Sequence, residues 1–188
     1  MATTATHPFT TADLLAMPDD GRRRWLIRGE LREQEVTIRN RFHSIAMARL
    51  TGVLYVWRSA QPAPRGEIIC GEAGVRLPGE PETTVGVDVA YVPQDVVVRQ
   101  SSDTTLVEGV PTLIVEILSP SDKLEEIDEM IAAYQAAGVP LVWVVDPRDR
   151  TVTIYRPGEE PTFANARQDL DGGDVLPGFR VPVAQLFE

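Results

Sequence analysis

Hydrophobic and polar positions alternate with two distinct periods along this chain, and two apolar runs break the pattern in the same way. Leu113-Ile-Val-Glu-Ile-Leu118 is aliphatic except for Glu116. Val85-Gly-Val-Asp-Val-Ala-Tyr-Val92 is apolar except for Asp88. Short runs this rich in aliphatic residues predict strands buried on both faces. Strand alternation puts Glu116 on the same face as Ile114 and Leu118. A lone ionised carboxylate there is costly unless a charge or hydrogen-bond donor meets it.

The remaining pattern predicts the elements around these runs. Thr10 to Met17 reads as a short helix with a Thr cap, stopped by Pro18. Arg24–Ile27 and Leu31–Val36 read as a hairpin around Arg28-Gly29. Residues from Asn40 to Arg58 carry Ile45, Leu50, Val53, Leu54 and Trp57 at helical spacing. Short strands are expected at Glu67–Cys70, Gly74–Leu77 and Val87–Val92, and a polar loop from Gln100 to Gly109. After Leu118, Ser121 or Asp122 caps a helix that ends at Gly138, followed by a strand from Leu141 to Val145. Strand, helix, strand at this length is a crossover between parallel strands. Thr151–Tyr155 is its antiparallel neighbour, and Leu176–Phe179 and Val183–Phe187 close the core. No repeat or linker divides residues 1–188, which suit a single α/β domain.

Charge changes the picture twice. The net charge of −10 argues against indiscriminate binding to phosphate polymers. The balance is uneven, however: residues 1–66 carry ten arginines against six acids, and the rest eight basic residues against twenty-two acids. A locally basic surface is therefore compatible with an acidic protein. The lone Cys70 and the absence of a leader-like segment or a membrane-length apolar run fit a cytoplasmic protein with no membrane partner. With only His7 and His43, no histidine or cysteine cluster supports zinc.

The carboxylates carry the candidate chemistry. Glu116 stands near the end of its strand, where open α/β sheets place ligands, and Asp88 on a neighbouring strand can share a magnesium ion with it. Such an ion activates water and offsets charge on a phosphate. The alternative from spacing alone is that both acids bond to loop amides or an arginine at the sheet ends.

Several motifs together resemble the Uma-two family of restriction endonucleases, within the PD-(D/E)XK nuclease-like superfamily. They are Thr10-Thr-Ala-Asp-Leu-Leu-Ala-Met-Pro18, Arg28-Gly-Glu-Leu31, His43, Val87-Asp-Val89, Leu113 to Ser121, Tyr134, Ala137-Gly-Val139, Trp143-Val-Val-Asp-Pro147, Leu176-Pro-Gly-Phe179 and Leu186-Phe187. The resemblance implies a mixed central sheet flanked by helices, a magnesium-dependent phosphodiesterase site, with manganese as a substitute, and a homodimer acting on DNA. In it, Asp88 and Glu116 match the metal-binding acids, and Glu30 matches an early acid, a candidate outer ligand or water-positioning group. His43 matches a histidine at the start of the first long helix and is, with Arg39 and Arg41, an expected substrate contact. Arg39, Arg41 and Arg49 are the expected contacts to nucleic acid.

The sequence departs from that pattern at the lysine. Leu118 and Met130 occupy the two places where the resemblance leads one to expect it, and methionine can neither move a proton nor offset charge. Lys123, the chain's single lysine, lies seven residues before Met130 on nearly the same helical face. It is the remaining candidate for the role. Two other readings stay open: a degenerate relative kept as a binding or oligomerisation module, and a metal-dependent hydrolase of a small phosphoester.

Overall fold

The computed structural model describes residues 7–35 and 40–188. Helix α1 (Thr11–Leu15) opens with a complete capping box, in which Thr10 and Asp13 satisfy each other's backbone amides. Strands β1 (Arg22–Ile27) and β2 (Glu30–Glu35) form the expected hairpin. Arg28 and Gly29 both take positive φ, 51° and 75°, which matches the twist of a two-residue turn.

Helix α2 (Arg41–Ala60) starts where the Asn40 side chain accepts from the amides of Phe42 and His43. It buries His43, Ala46, Leu50, Leu54 and Trp57, a stripe turned slightly from the expected one, since Ile45 is exposed. The two strands expected between residues 67 and 77 are one strand, β3 (Glu67–Leu77). A bulge between Cys70 and Ala73, at Gly71 and Glu72 with positive φ, supplies the break in pattern. Strand β4 (Thr83–Val92) starts earlier than expected and pairs with β3 along its length. The polar segment that follows is flanked by helix α3 (Gln94–Val97) and the two-residue strand β5 (Val107–Glu108), which joins β3.

Strand β6 (Leu113–Ile117), helix α4 (Leu124–Ala136) and strand β7 (Val142–Asp146) are the expected crossover, with β6 and β7 parallel. The cap is not as expected. Lys123 occupies the N-cap position, while the Asp122 carboxylate turns back to accept from the backbone N–H and hydroxyl of Ser119. Strands β8 (Thr151–Tyr155) and β9 (Thr162–Asn165) complete the main sheet, in the order β2-β1-β4-β6-β7-β8-β9. Strands β10 (Asp169–Asp171) and β11 (Arg180–Pro182) form a separate pair.

Strand alternation divides the interior. Val115, Ile117, Trp143 and Val145 face α2 and the C-terminal segment, packing with Leu50, Leu54, Leu176 and Phe179. Ile114, Val142 and Val144 face α4, packing with Trp25, Met130 and Tyr134. Each such side chain contributes roughly 1.5–3 kcal/mol on burial. Val87 and Val89 fall in different cores although only two residues apart, so β4 turns its faces at Asp88.

The hairpin turn offers a test of this packing. A Cβ added at Gly29 would lie 2.6 Å from that of Pro8 and 3.0 Å from that of Pro81, on top of an unfavourable φ. Gly29→Ala is therefore expected to lower stability by at least about 1 kcal/mol, read as a reduced urea midpoint with an unchanged slope. An unaltered midpoint would show that the turn yields freely.

Candidate active site

The site is built by competition for one strand edge. With β3 along one edge of β4, the other edge serves β1 at Leu26↔Thr84 and β6 at Val89↔Val115. Residues 85–88 lie between the two contacts, where β1 and β6 diverge. The β6 register, carried one step further, sets Asp88 opposite Glu116. A cavity of about 20 Å³ opens at this fork, lined by Arg23 and Trp25 of β1, Gln34 of β2, Asp88, Glu116 and Ile117, and by Asp122, Lys123, Glu126, Ile127 and Met130 of the α4 region. A space of that size holds one water-sized body.

Polar groups left by the divergence are satisfied by side chains. The Ile117 amide donates to Asp88 Oδ2 at 2.7 Å. His43 Nε2 lies 3.2 Å from the same oxygen. His43 is fully buried and its Nδ1 has no hydrogen-bond partner among the described residues; a proton on Nε2 lets the ring donate to Asp88. Asp88 Oδ1 is buried and has no hydrogen-bond partner among the described residues. Asp88 is thus anchored through one oxygen and presents the other.

Glu116 accepts a 2.6 Å hydrogen bond from the Tyr134 hydroxyl at Oε1. Burial pushes its carboxyl up to about 8, and the charge of Asp88 pushes the same way; the Arg23 guanidinium and the Tyr134 bond act against both. Burial, followed by the charge of Glu116, also raises Tyr134 well above its ordinary value. The Met130 sulfur lies 3.8 Å from the Tyr134 hydroxyl, and Met130 is buried at the cavity wall. One cavity wall is braced by Arg32 of β2, whose guanidinium grips both oxygens of Glu129 on α4, at 3.0 and 2.6 Å.

The residues expected from sequence divide clearly. Asp88 and Glu116 meet at the cavity. His43 also reaches Asp88, but from the buried side, where it orients that carboxylate and cannot touch a substrate. Glu30 does not line the cavity; it stands exposed at the hairpin end, paired with Arg32 at 2.9 Å. Lys123 lines the rim, yet its side chain is largely exposed and its ammonium bonds Glu126 at 2.7 Å. Arg41 is exposed at the start of α2, its guanidinium over the Phe42 ring. Arg49 lines a different cavity, with Trp57 and Phe179. Arg39 lies outside the described residues. Sequence reasoning missed Arg23, whose side chain lines the cavity with the two carboxylates. Alternation held the clue, since Arg23 shares a strand face with Trp25 and Ile27.

Residues 11–184 match the model of the Uma2 family, described as "Putative restriction endonuclease". The chain belongs to the Uma2 family. It is also similar to the crystal structure of a protein from Anabaena variabilis described as a "putative nuclease belonging to DUF820". That likeness has a TM-score of 0.78 at 17% identity, over 96% of this chain and 98% of the other. It supports the nuclease-like fold, a mixed sheet flanked by helices, as the resemblance implied. No curated protein matches the chain. Uma2 membership agrees with a nuclease. Among the described residues, no helix is long and apolar enough to cross a membrane.

The raised Glu116 carboxyl gives a pH prediction for the metal-free protein. Below about pH 4.5 the group is neutral in folded and unfolded chains alike. Between that value and about 8, the unfolded chain has released a proton that the folded chain keeps, so stability falls as pH rises. The loss is on the order of a few kcal/mol. Glu116→Gln abolishes it and can still accept from Tyr134. Melting temperatures in chelator should therefore diverge between pH 5 and 8, with the wild type falling relative to the variant. Parallel curves would contradict the assignment.

Proposed function

We propose that this protein is a metal-dependent DNA endonuclease whose divalent cation, magnesium or manganese, is held by Asp88 and Glu116. The observation that carries this reading is the buried, unpartnered Oδ1 of Asp88 beside a cavity it shares with Glu116. Two carboxylates with waters completing the shell suit magnesium. Among the described residues there is no cluster of three or more His, Cys, Asp or Glu suited to a metal ion, so this reading rests on the two carboxylates alone. When bound, the cation supplies Lewis-acid stabilisation of phosphate charge and a more acidic water.

The protein's own residues prepare that site. The Ile117 amide and His43 hold Asp88 by one oxygen. Tyr134 holds Glu116, and a charge drawn into the cavity favours the ionised form that burial opposes. The cavity is too small to enclose a phosphoester, so a substrate meets it at the mouth. That favours a polymer backbone over the small-phosphoester reading. The basic N-terminal third, with Arg41 exposed at the head of α2, supplies charge for DNA phosphates. Cutting both strands calls for two such sites, hence a homodimer, and a cytoplasmic enzyme fits the unpaired cysteine. A second reading, a relative that binds without cutting, draws on the buried Met130 in place of lysine.

Nicking of supercoiled plasmid with magnesium or manganese distinguishes these. Wild type is expected to nick, and Glu116→Gln to reduce the rate about 10²-fold or more. Lys123→Ala is expected to stay within a few-fold of wild type, because its ammonium is exposed and paired with Glu126. DNA binding without nicking would support the non-cutting reading, and collapse of activity in Lys123→Ala would return the lysine role to α4.

A further inference from the structure

Where the resemblance leads one to expect a lysine this site has Met130, but the cavity also holds a guanidinium. Arg23 lies on β1, across the fork from α4, and lines the cavity with Asp88 and Glu116. Its guanidinium is held from several sides. Nη2 donates to the Gly86 carbonyl at 2.9 Å, on the stretch of β4 between the contacts with β1 and β6. Nε lies 2.9 Å from Glu72 Oε2 at the β3 bulge. The group stands 5.4 Å from the centre of the Trp25 ring, within cation–π range. The side chain keeps 20% of its exposure. It is thus anchored, lines the cavity and is not fully enclosed.

We infer that Arg23 is a phosphate-binding catalytic residue of this site, meeting the scissile phosphate at the Asp88–Glu116 cavity. This rests on the endonuclease reading and deepens it. In this arrangement the positive charge comes from the first hairpin rather than from α4. The chemistry differs accordingly. Guanidinium remains protonated at any working pH, so Arg23 can bind phosphate oxygens and offset developing negative charge but cannot remove a proton from water. Met130 then needs no replacement on its own helix, because Arg23 takes over the electrostatic half of the missing lysine's role. Lys123 also lines the rim, but its side chain is largely exposed and its described partner is Glu126 alone, so it is held less firmly than Arg23.

A purely structural Arg23, one that only ties β1 to Gly86 and Glu72, is the competing account. Arg23→Met removes the charge at similar length, and Arg23→Lys keeps the charge but loses the fork geometry. We expect Arg23→Met to nick plasmid at least about 10-fold more slowly than wild type, in turnover more than in KM. Its binding to a short DNA duplex should lose about one unit of the salt-dependence slope, the signature of one lost phosphate contact. Arg23→Lys should retain that slope and part of the rate. Adding Met130→Lys to Arg23→Met should recover activity by restoring a cation from the opposite wall. Where Arg23→Met does not fold, Arg23→Gln, which can still donate to Gly86, carries the same expectations.

A folded Arg23→Met or Arg23→Gln with wild-type rate and salt slope overturns the inference and leaves the endonuclease reading intact. A lowered melting temperature with unchanged slope and rate points to the structural account and overturns it equally. If wild type and Glu116→Gln nick alike, the endonuclease reading itself fails and the role of Arg23 falls with it.

Discussion

One edge of β4 cannot pair with two strands over the same residues, and the geometry of the candidate site follows from that limit. The β1–β2 hairpin takes the early part of the edge and β6 the later part. Between them the sheet must open, and backbone groups that would have been bridged by a ladder need other partners. Arg23 serves the Gly86 carbonyl and Asp88 serves the Ile117 amide. The same divergence brings two acids and a guanidinium to one small space without any loop needing to carry them. Residues placed this way sit on rigid elements, and α4, pinned to the hairpin by Arg32 and Glu129, forms the remaining wall.

The parts of this design that were legible in sequence are those with an apolar contrast. Asp88 and Glu116 stand out because each interrupts an aliphatic run, and β6, α4 and β7 announce themselves by length and composition. The short strands β9, β10 and β11 were not legible. They are largely exposed, three or four residues long, and hold their shape through neighbours that the local sequence does not name. Strand β3 read as two strands because the bulge at Gly71 and Glu72 looks like a turn. The start of α4 read one or two residues early, because Asp122 has the chemistry of a cap and spends it on Ser119 instead. Arg23 was hidden for a different reason. A run of three arginines looks solvated as a whole, and only the alternation of β1 separates the middle one from its neighbours.

The electrostatics of the cavity oppose the ionisation of one of its two acids. Burial and mutual repulsion drive Glu116 toward its neutral form, while Tyr134 and Arg23 favour the ionised one. The protein thus carries a buried carboxyl that destabilises it at neutral pH, a pattern more often found at functional sites than in structural cores.

The dual use of Asp88 has an evolutionary consequence. Its carboxylate accepts from a buried backbone amide of the next strand, so losing it would strand a donor at a cost of roughly 1–3 kcal/mol even in a protein with no chemistry to perform. Glu116 accepts from the buried Tyr134 hydroxyl, a duty that a neutral glutamine performs equally well while relieving the penalty of the buried carboxyl. A lineage that abandoned cleavage would be expected to shed Glu116 early and to retain Asp88 as a strand splice. Among relatives, an intact aspartate at this place would therefore say less about chemistry than an intact glutamate would.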